Sequence, residues 1–390
     1  MNNFNALDTI IFKKNVYNDL TNYLSNYKKI FIITSSTPQK TILPIISGFL
    51  NDKKIYFSYA VMDKKKCCHE NLIKFCSLAC GYDCILSLGS GSCTDLAKLT
   101  AKNLKIDYVV FPTTISHYGY FSNVAYLSGR FTVDKIECDF PKKVFIEENI
   151  IVNSPDNFVF STVCFVFSFV ETLFSEYAKY QIFNSENMAT LNQLKLLINK
   201  TEELINWISL KKQSAYLNLM DNVIELFVLS QDLDNNSSML LANLICKKSN
   251  SVFGKNMLMA SDLILQSYNY FWSCKLEYKN IPNIEKYMQI LQKNGKKLDF
   301  LLKNIKKTDK FLSDRYIFKL KSLKPTLLAN ATIEVKKMSK LCNKVLNLFS
   351  NSETKTANFN YILDNFCYTA VTSNNFQLGT MFRLGYLNIV

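Results

Sequence analysis

Histidine is almost missing from this chain: its 390 residues hold two, His69 and His117. Imidazole-rich metal centres therefore have little to draw on. Glycine (ten) and proline (seven) are also scarce, and only Pro282 and Pro325 follow Pro155. No Cys-x-x-Cys occurs among the twelve cysteines, so the usual zinc spacing is lacking. No uninterrupted apolar run reaches the ~18 residues of a membrane helix. Phe158 to Val170 comes nearest and is broken by Ser161, Thr162 and Ser168. The start, Met-Asn-Asn-Phe-Asn, has neither the basic nor the apolar stretch of a secretory signal. A cytoplasmic protein with reduced thiols and no membrane span is expected.

What is present supports a folded chain. Hydrophobic residues make up 48% and charged residues 20%, enough for a large core. The length suggests two to three domains at about 150 residues each. The net charge of +14 comes from lysines scattered in pairs, with one triplet at Lys64 to Lys66. No recognition motif accompanies it, so no nucleic-acid partner is expected, and a basic pocket for an anionic metabolite fits equally well. Cys67, Cys68, His69, Cys76, Cys80 and Cys84 crowd one region. Cys76, Cys80 and Cys84 repeat every four residues, which reads as buried helical thiols rather than a zinc site.

The pattern changes near residue 155. Before it, Lys29 to Thr34, Lys54 to Ala60, Cys84 to Leu88 and Asp107 to Phe111 read as strands, with a further one at Val144 to Ile146 and Ile150 to Val152. Gln39 to Asn51, Glu70 to Cys80 and Thr94 to Asn103 have helical spacing between them. This alternation predicts βαβ units and a parallel sheet. After Ser154-Pro155 the spacing is helical in Val163 to Phe183, Leu191 to Ile208, Tyr216 to Leu229, Ser238 to Cys246, Met257 to Trp272, Ile284 to Ile305 and Ala329 to Phe349. Asn351 to Asn358 reads as a polar loop. The expected fold class is α/β, with a Rossmann-like domain at 1–153 followed by an all-helical domain at 154–390.

Two loops carry the chemistry. The third strand runs into Gly89-Ser90-Gly91-Ser92-Cys93-Thr94-Asp95 and a helix start. A strand, a glycine turn and a helix N-terminus form an anion-binding device, because backbone N–H groups and the helix dipole converge there. It is neither a Gly-x-Gly-x-x-Gly fingerprint, since Thr94 stands at the third position, nor a P-loop. The fourth strand runs into Phe111-Pro112-Thr113-Thr114-Ile115-Ser116-His117-Tyr118-Gly119-Tyr120, at the same carboxyl edge where open α/β sheets bind ligands. Thr113, Thr114, Ser116 and Ser122 offer hydroxyls to a phosphate or an amide.

These residues resemble the sn-glycerol-1-phosphate dehydrogenase family, in the superfamily of iron-containing alcohol dehydrogenases and dehydroquinate synthases. The resemblance rests on Gly-Ser-Gly-Ser-x-x-Asp-x-x-Lys at 89–98 and Pro-Thr-Thr-x-Ser-x-x-Gly-Tyr-x-Ser at 112–122. It extends through Ala125, Pro141 to Glu148 and Ser154-Pro155, and to the spacing of Ser373 to Leu387. It implies a dehydroquinate synthase-like architecture. It also implies hydride transfer between NAD or NADP and a small phosphorylated ketone, dihydroxyacetone phosphate, and a possible homodimer. Carried across, Gly89, Ser90, Gly91, Ser92, Cys93, Thr94 and Asp95 contact the pyrophosphate region. Lys98 supports the phosphates or the loop, and Thr113, Thr114, Ser116 and Ser122 line the dinucleotide.

The chain departs from the family pattern at its chemistry. Tyr118 stands where the family has a substrate-contacting Asp. Ser35 stands where an acid would hold the adenosine ribose, which opens the way to NADP with Lys40 nearby. The family's zinc ligands, an Asp and two histidines, have no counterpart. Ser161 to Val170 holds no acid, and Leu263 and Ser267 occupy the histidine positions after Ser261-Asp262. No metal ligand is assigned, and zinc is doubtful. Tyr118, His117 or Glu171 would then have to serve the carbonyl in place of zinc. Two alternatives remain open: a non-catalytic nucleotide- or partner-binding relative, and a sugar-phosphate cyclase of the dehydroquinate synthase type. The cyclase reading has no Gly-Gly-Lys-Thr after the second loop, where Leu127 to Thr132 stands instead.

Overall fold

The computed structural model describes residues 6–62, 67–116, 118–129, 133–183, 188–231, 233, 237–246, 253–276 and 314–346. The helix expected at 284–305, the loop at 351–358, the closing pair at 373–387 and His117 lie outside these residues. The chain divides into two compact units. The first comprises residues 1–159 with 210–228, and the second residues 160–209 with 229–390.

The first unit is built on a six-stranded sheet. After a single turn, α1 (Ala6–Thr9), come β1 (Ile10–Lys13), α2 (Tyr17–Leu24), β2 (Lys29–Thr34), α3 (Ser36–Thr41), α4 (Leu43–Asp52) and β3 (Tyr56–Val61). Next are α5 (His69–Leu78), β4 (Cys84–Gly89), α6 (Gly91–Leu104), β5 (Asp107–Pro112), a 3-10 turn (Tyr118–Tyr120), β6 (Val124–Ser128), β7 (Val133–Glu137), β8 (Lys143–Glu147) and α7 (Glu148–Ile151). The sheet order is β1-β8-β5-β4-β2-β3, and every pair is parallel. β2, β4 and β5 read as continuous apolar runs because helices cover both faces. Leu20 and Leu24 of α2, with Ile46 and Leu50 of α4, pack on Ile30, Ile32, Leu86, Leu88 and Val109.

The strand order creates a switch point. From β2 the chain moves outward to β3, then returns to the other side of β2 as β4 and continues toward β5 and β8. Connections leaving the carboxyl ends of β2 and β4 diverge, which opens a crevice there.

Several sequence expectations change here. Ile150 to Val152 is not a strand: the Glu147 carboxylate accepts the Asn149 N–H at 3.3 Å and starts α7 at once. The other Glu147 oxygen accepts the Val16 N–H at 2.9 Å, tying β8 to the start of α2. Cys84 is not on a helical stripe but opens β4, and Cys80 lies beyond α5 and is exposed. β1 pairs in register with β8, Ile11 opposite Phe145, and β6 and β7 form an antiparallel pair. Neither was expected, because four- and five-residue segments give too little periodicity to register.

The second unit is helical in its described residues. Its elements belong to α8 (Asp156–Phe183), α9 (Met188–Ser209), α10 (Gln213–Ser230), α11 (Ser237–Cys246), α12 (Phe253–Ser273) and α13 (Asp314–Leu346); α8 begins, and most of α10 lies, in the first unit. α8 is long and apolar enough to cross a membrane, but 83% of its most apolar window is buried inside the protein. Counting uninterrupted apolar residues missed that length. α12 runs parallel to α8 in a small-residue seam. A Cβ on Gly254 would lie 2.3 Å from the Ser161 Cα. Seven residues further along both helices, Ser261 Oγ donates to the Ser168 carbonyl at 3.0 Å. Next in line, Tyr268 packs on Phe174 with ring centroids 5.8 Å apart.

Candidate functional site

The glycine turn sits at the switch point. Ser90 is the N-cap of α6 in extended backbone, and its side chain makes no cap hydrogen bond. Ser90, Gly91 and Ser92 are half-buried, whereas residues 93–101 are buried. First-turn N–H groups of a 14-residue helix therefore meet a partly open edge, the arrangement a pyrophosphate requires. Ser35, after β2, adjoins it: a Cβ on Gly89 would lie 3.8 Å from Ser35 Oγ. These residues fit a dinucleotide.

Gly89 is glycine for a packing reason. An added Cβ would sit 2.7 Å from the Cys93 Cβ and 2.9 Å from its sulfur. Cys93 cannot retreat, because it is fully buried and its thiol donates to the Ile33 carbonyl at 3.1 Å. Gly89→Ala is expected to cost about 1–3 kcal/mol by overpacking. Adding Cys93→Gly removes both clashing atoms. Cys93→Gly by itself loses a buried thiol and its hydrogen bond, so the double variant should be more stable than the two single losses added together would give. Chemical denaturation of the single and double variants checks this.

The cofactor-binding residues expected from the sequence separate into two groups. Gly89, Ser90, Gly91 and Ser92 form the open turn. Cys93, Thr94, Asp95 and Lys98 turn their side chains into the protein. Thr94 Oγ1 accepts from Ser87 Oγ at 3.2 Å. Lys98 is 0% exposed and donates to the Gly119 carbonyl at 2.5 Å, the Val124 carbonyl at 2.8 Å and Ser122 Oγ at 3.1 Å. All three donors of the ammonium are used. Lys98 holds the 119–124 segment, so of its two expected roles the structure carries the loop-supporting one.

Asp95 completes this clamp, accepting the Tyr126 backbone N–H. Burial pushes its carboxyl up to about 7, against the pull of Lys98 and the Tyr126 bond. Burial pushes Lys98 down to about 8, against the pull of Asp95. Each partner keeps the other from neutralising more completely.

The second loop is tied to the first. The Thr113 N–H donates to the Gly89 carbonyl at 3.2 Å. The Ile115 N–H donates to Ser154 Oγ at 2.8 Å. Tyr120, fully buried, donates to the Thr114 carbonyl at 3.1 Å and shares a 3.3 Å hydrogen bond with Thr114 Oγ1. Burial raises its phenol to about 12, so it stays protonated. Thr113 is buried, Thr114 and Ser116 are half-buried, and Ser122 is part of the Lys98 clamp. Tyr118 opens the 3-10 turn at this edge. Sequence reasoning missed Tyr120 and Ser154 as loop supports, having read Ser154-Pro155 only as a boundary.

Glu171 lies in the second unit and is fully buried. Its Oε1 accepts from the Tyr268 hydroxyl at 3.1 Å and its Oε2 from Ser238 Oγ at 3.5 Å. These two donors are neutral hydroxyls. Among the described residues, no three His, Cys, Asp or Glu side chains come together. This donor set does not fit a zinc or iron ion, which takes carboxylate, imidazole or thiolate ligands.

Comparison with known proteins agrees with the sheet-edge geometry. Residues 11–155 match the iron-containing alcohol dehydrogenase family. Over 154 residues, 40% of this chain and 38% of the relative, identity is 29% to glycerol-1-phosphate dehydrogenase [NAD(P)+] of Methanococcus aeolicus. Over 149 residues, 37% of this chain and 42% of the relative, it is 23% to the enzyme of the same name from Methanococcoides burtonii. The matched segment spans about two-fifths of these relatives. The fold extends further: the NADH-dependent butanol dehydrogenase A of Thermotoga maritima superposes with a TM-score of 0.65 at 9% identity, covering 99% of this chain and 92% of that one. Residues 11–155 thus resemble the iron-containing alcohol dehydrogenase family in sequence, and the chain as a whole shares the fold of the butanol dehydrogenase.

Proposed function

We propose that this chain is an NAD(P)-dependent oxidoreductase that reduces a small phosphorylated ketone, dihydroxyacetone phosphate or a close relative, to the alcohol. The observation that carries this reading is the half-open Ser90–Ser92 turn at the N-terminus of α6, beside Ser35 at the switch point. Similarity over 149 and 154 residues to two glycerol-1-phosphate dehydrogenases supports the substrate class.

In this reading, N–H groups of the 90–92 turn bind the pyrophosphate. Hydroxyls of Thr114 and Ser116 lie on the neighbouring loop to orient the dinucleotide, and Ser154 and Tyr120 hold that loop in shape. When bound, the nicotinamide supplies the hydride that adds to the carbonyl carbon. The carbonyl oxygen then needs a proton, which we assign to Tyr118 of the 3-10 turn or to its neighbour in sequence, His117. Glu171 is a poor source, because both carboxylate oxygens already accept hydrogen bonds from Tyr268 and Ser238. With Ser35 rather than an acid near the ribose position, no carboxylate at that residue repels a 2′-phosphate, and NADPH is expected to bind at least as well as NADH.

The test is fluorescence titration with NADH and NADPH, followed by their oxidation with dihydroxyacetone phosphate. Saturable binding with substrate-dependent oxidation is expected. Absence of binding to either nucleotide would defeat the reading, and binding without turnover on any phosphorylated ketone would favour a non-catalytic relative. Gly91→Asp makes the test specific. An acid in the first helical turn favours the helix, so folding should be kept. The same acid repels a pyrophosphate, and affinity should fall by at least about 100-fold. Unchanged affinity would mean that the turn has no ligand.

A further inference from the structure

We infer that the seam of α8, α11 and α12, where the superfamily resemblance would put a catalytic metal, is closed among the described residues by a hydroxyl network around the carboxylate of Glu171 and binds no divalent ion. This does not rest on the proposed reaction.

The backbone comes first. At Gly254 and Ser161 the two helices touch so closely that even a methyl group has no place. One heptad further, Ser261 donates directly to the Ser168 carbonyl, so hydroxyl and backbone meet with nothing between them. Beyond that, Tyr268 of α12 and Ser238 of α11 donate to the two oxygens of Glu171. A parallel, heptad-spaced approach sets this register, and between 261 and 268 the buried residues are 261, 264, 265 and 268. Leu263 and Ser267, which occupy the imidazole positions of the resemblance, are only half-buried. Between 261 and 268 the face turned inward on α12 therefore offers hydroxyls and aliphatic groups, with no imidazole, thiol or carboxylate.

The donor chemistry agrees. A zinc site takes about four ligands that are carboxylate, thiolate or neutral imidazole. Serine and tyrosine hydroxyls are neutral near pH 7. No histidine follows residue 117 in this chain. The thiols on α8 and α13, buried Cys164 and half-buried Cys342, are held protonated: desolvation pushes both up, Cys342 to about 12, and the Asp262 charge adds to the rise at Cys342. Among the other carboxylates on these helices, Glu176 pairs with Lys179 at 3.6 Å, Asp262 accepts from Gln266 at 2.6 Å, and Glu334 of α13, raised by burial, feels the charges of Lys337 and Lys195. A hydrogen-bonded carboxylate stitching three helices is what remains, and it needs no cation.

The test uses the whole chain with any affinity tag removed. Metal content is measured by mass spectrometry as purified and after dialysis against Zn²⁺, Ni²⁺ or Fe²⁺, and melting is followed with and without a strong chelator. Exposed thiols such as Cys80 take up zinc adventitiously, so the near-isosteric Glu171→Gln is measured in parallel. We expect substoichiometric metal as purified, melting unmoved by the chelator, and the same uptake by Glu171→Gln as by the wild type. About one ion per chain whose removal lowers the melting temperature would overturn the inference. So would uptake that falls in Glu171→Gln, which would identify Glu171 as a ligand. The readout is metal and melting, so loss of the proposed activity would leave the result interpretable.

Discussion

Replacing Lys98 by Met is expected to cost about 3–5 kcal/mol, the range for removing one partner of a buried charged pair, and to cost more at pH 8 than at pH 5. Lys98 is fully buried and gives its three donors to Gly119, Ser122 and Val124. The methionine fills the volume but leaves two carbonyls and a hydroxyl without their donor. The pH dependence comes from Asp95. Its carboxyl is already raised to about 7, and Lys98 is what pulls it down. Without the cation it rises further. A carboxyl whose folded pKa lies above its unfolded value contributes stability below the unfolded pKa, near 4, and loses it as pH climbs through the folded value. At pH 5 the variant carries a neutral acid in a dry site. At pH 8 it must either bury an unpaired carboxylate or hold a proton against solution. Adding Asp95→Asn should remove the extra loss at pH 8 while leaving the loss from the orphaned loop. Urea unfolding of both variants at the two pH values checks this. A loss independent of pH would mean that the two residues do not act as a pair. Because the clamp joins α6 to the second loop, dinucleotide affinity should fall in Lys98→Met even at temperatures where the protein stays folded.

That clamp marks the boundary of what the sequence makes legible. Strands β2, β4 and β5 announce themselves as unbroken apolar runs, and the glycine turn after β4 is readable because only a few local designs put Gly-x-Gly between a strand and a helix. The helical half is readable from spacing and the scarcity of proline. Direction within a helix is harder. Asp95 and Lys98 are three residues apart on α6, and the resemblance places Asp95 at the pyrophosphate and Lys98 at the phosphates or the loop. Only the packing of β6 and the 119–124 segment against α6 turns them inward, and that packing depends on a hairpin of five-residue strands whose periodicity is too short to stand out. The same limit applies to the register of α12. Aligning Ser261-Asp262 with the family motif selects residues 263 and 267, whereas the small residues Gly254 and Ser261 set the inward face. Small residues leave a weak trace in hydrophobic patterning, yet they fix how close two helices come. The scarcity of histidine, by contrast, is legible from composition alone, since the chain holds two and both precede the helical half.

A single methyl group should have opposite signs at two glycines of this chain. Gly254→Ala puts a Cβ 2.3 Å from the Ser161 Cα, 2.7 Å from its Cβ and 2.9 Å from its carbonyl oxygen. Two of these atoms are backbone, so no side chain can swing aside, and α8 and α12 must separate. Overpacking costs about 1–3 kcal/mol when neighbours can adjust. With backbone in the way, the upper end, about 3 kcal/mol, is expected. Separation would also lengthen the Ser261–Ser168 and Tyr268–Glu171 hydrogen bonds, adding buried polar groups with weakened partners. Gly48→Ala is the control. Gly48 lies within α4, has no atom within 4 Å of an added Cβ, and is not in the left-handed region. Alanine there restricts the unfolded chain and favours the helix, a gain of about 0.5–1 kcal/mol. Calorimetry of the two variants should show a melting transition that falls for Gly254→Ala and rises for Gly48→Ala. If both stabilise, the α8–α12 approach is looser than described, and the seam has room for more than hydroxyls. If Gly254→Ala destabilises as expected, the closeness of these two backbones is what dictates small residues there, and the ring of Tyr268 is held against Glu171 by the same constraint.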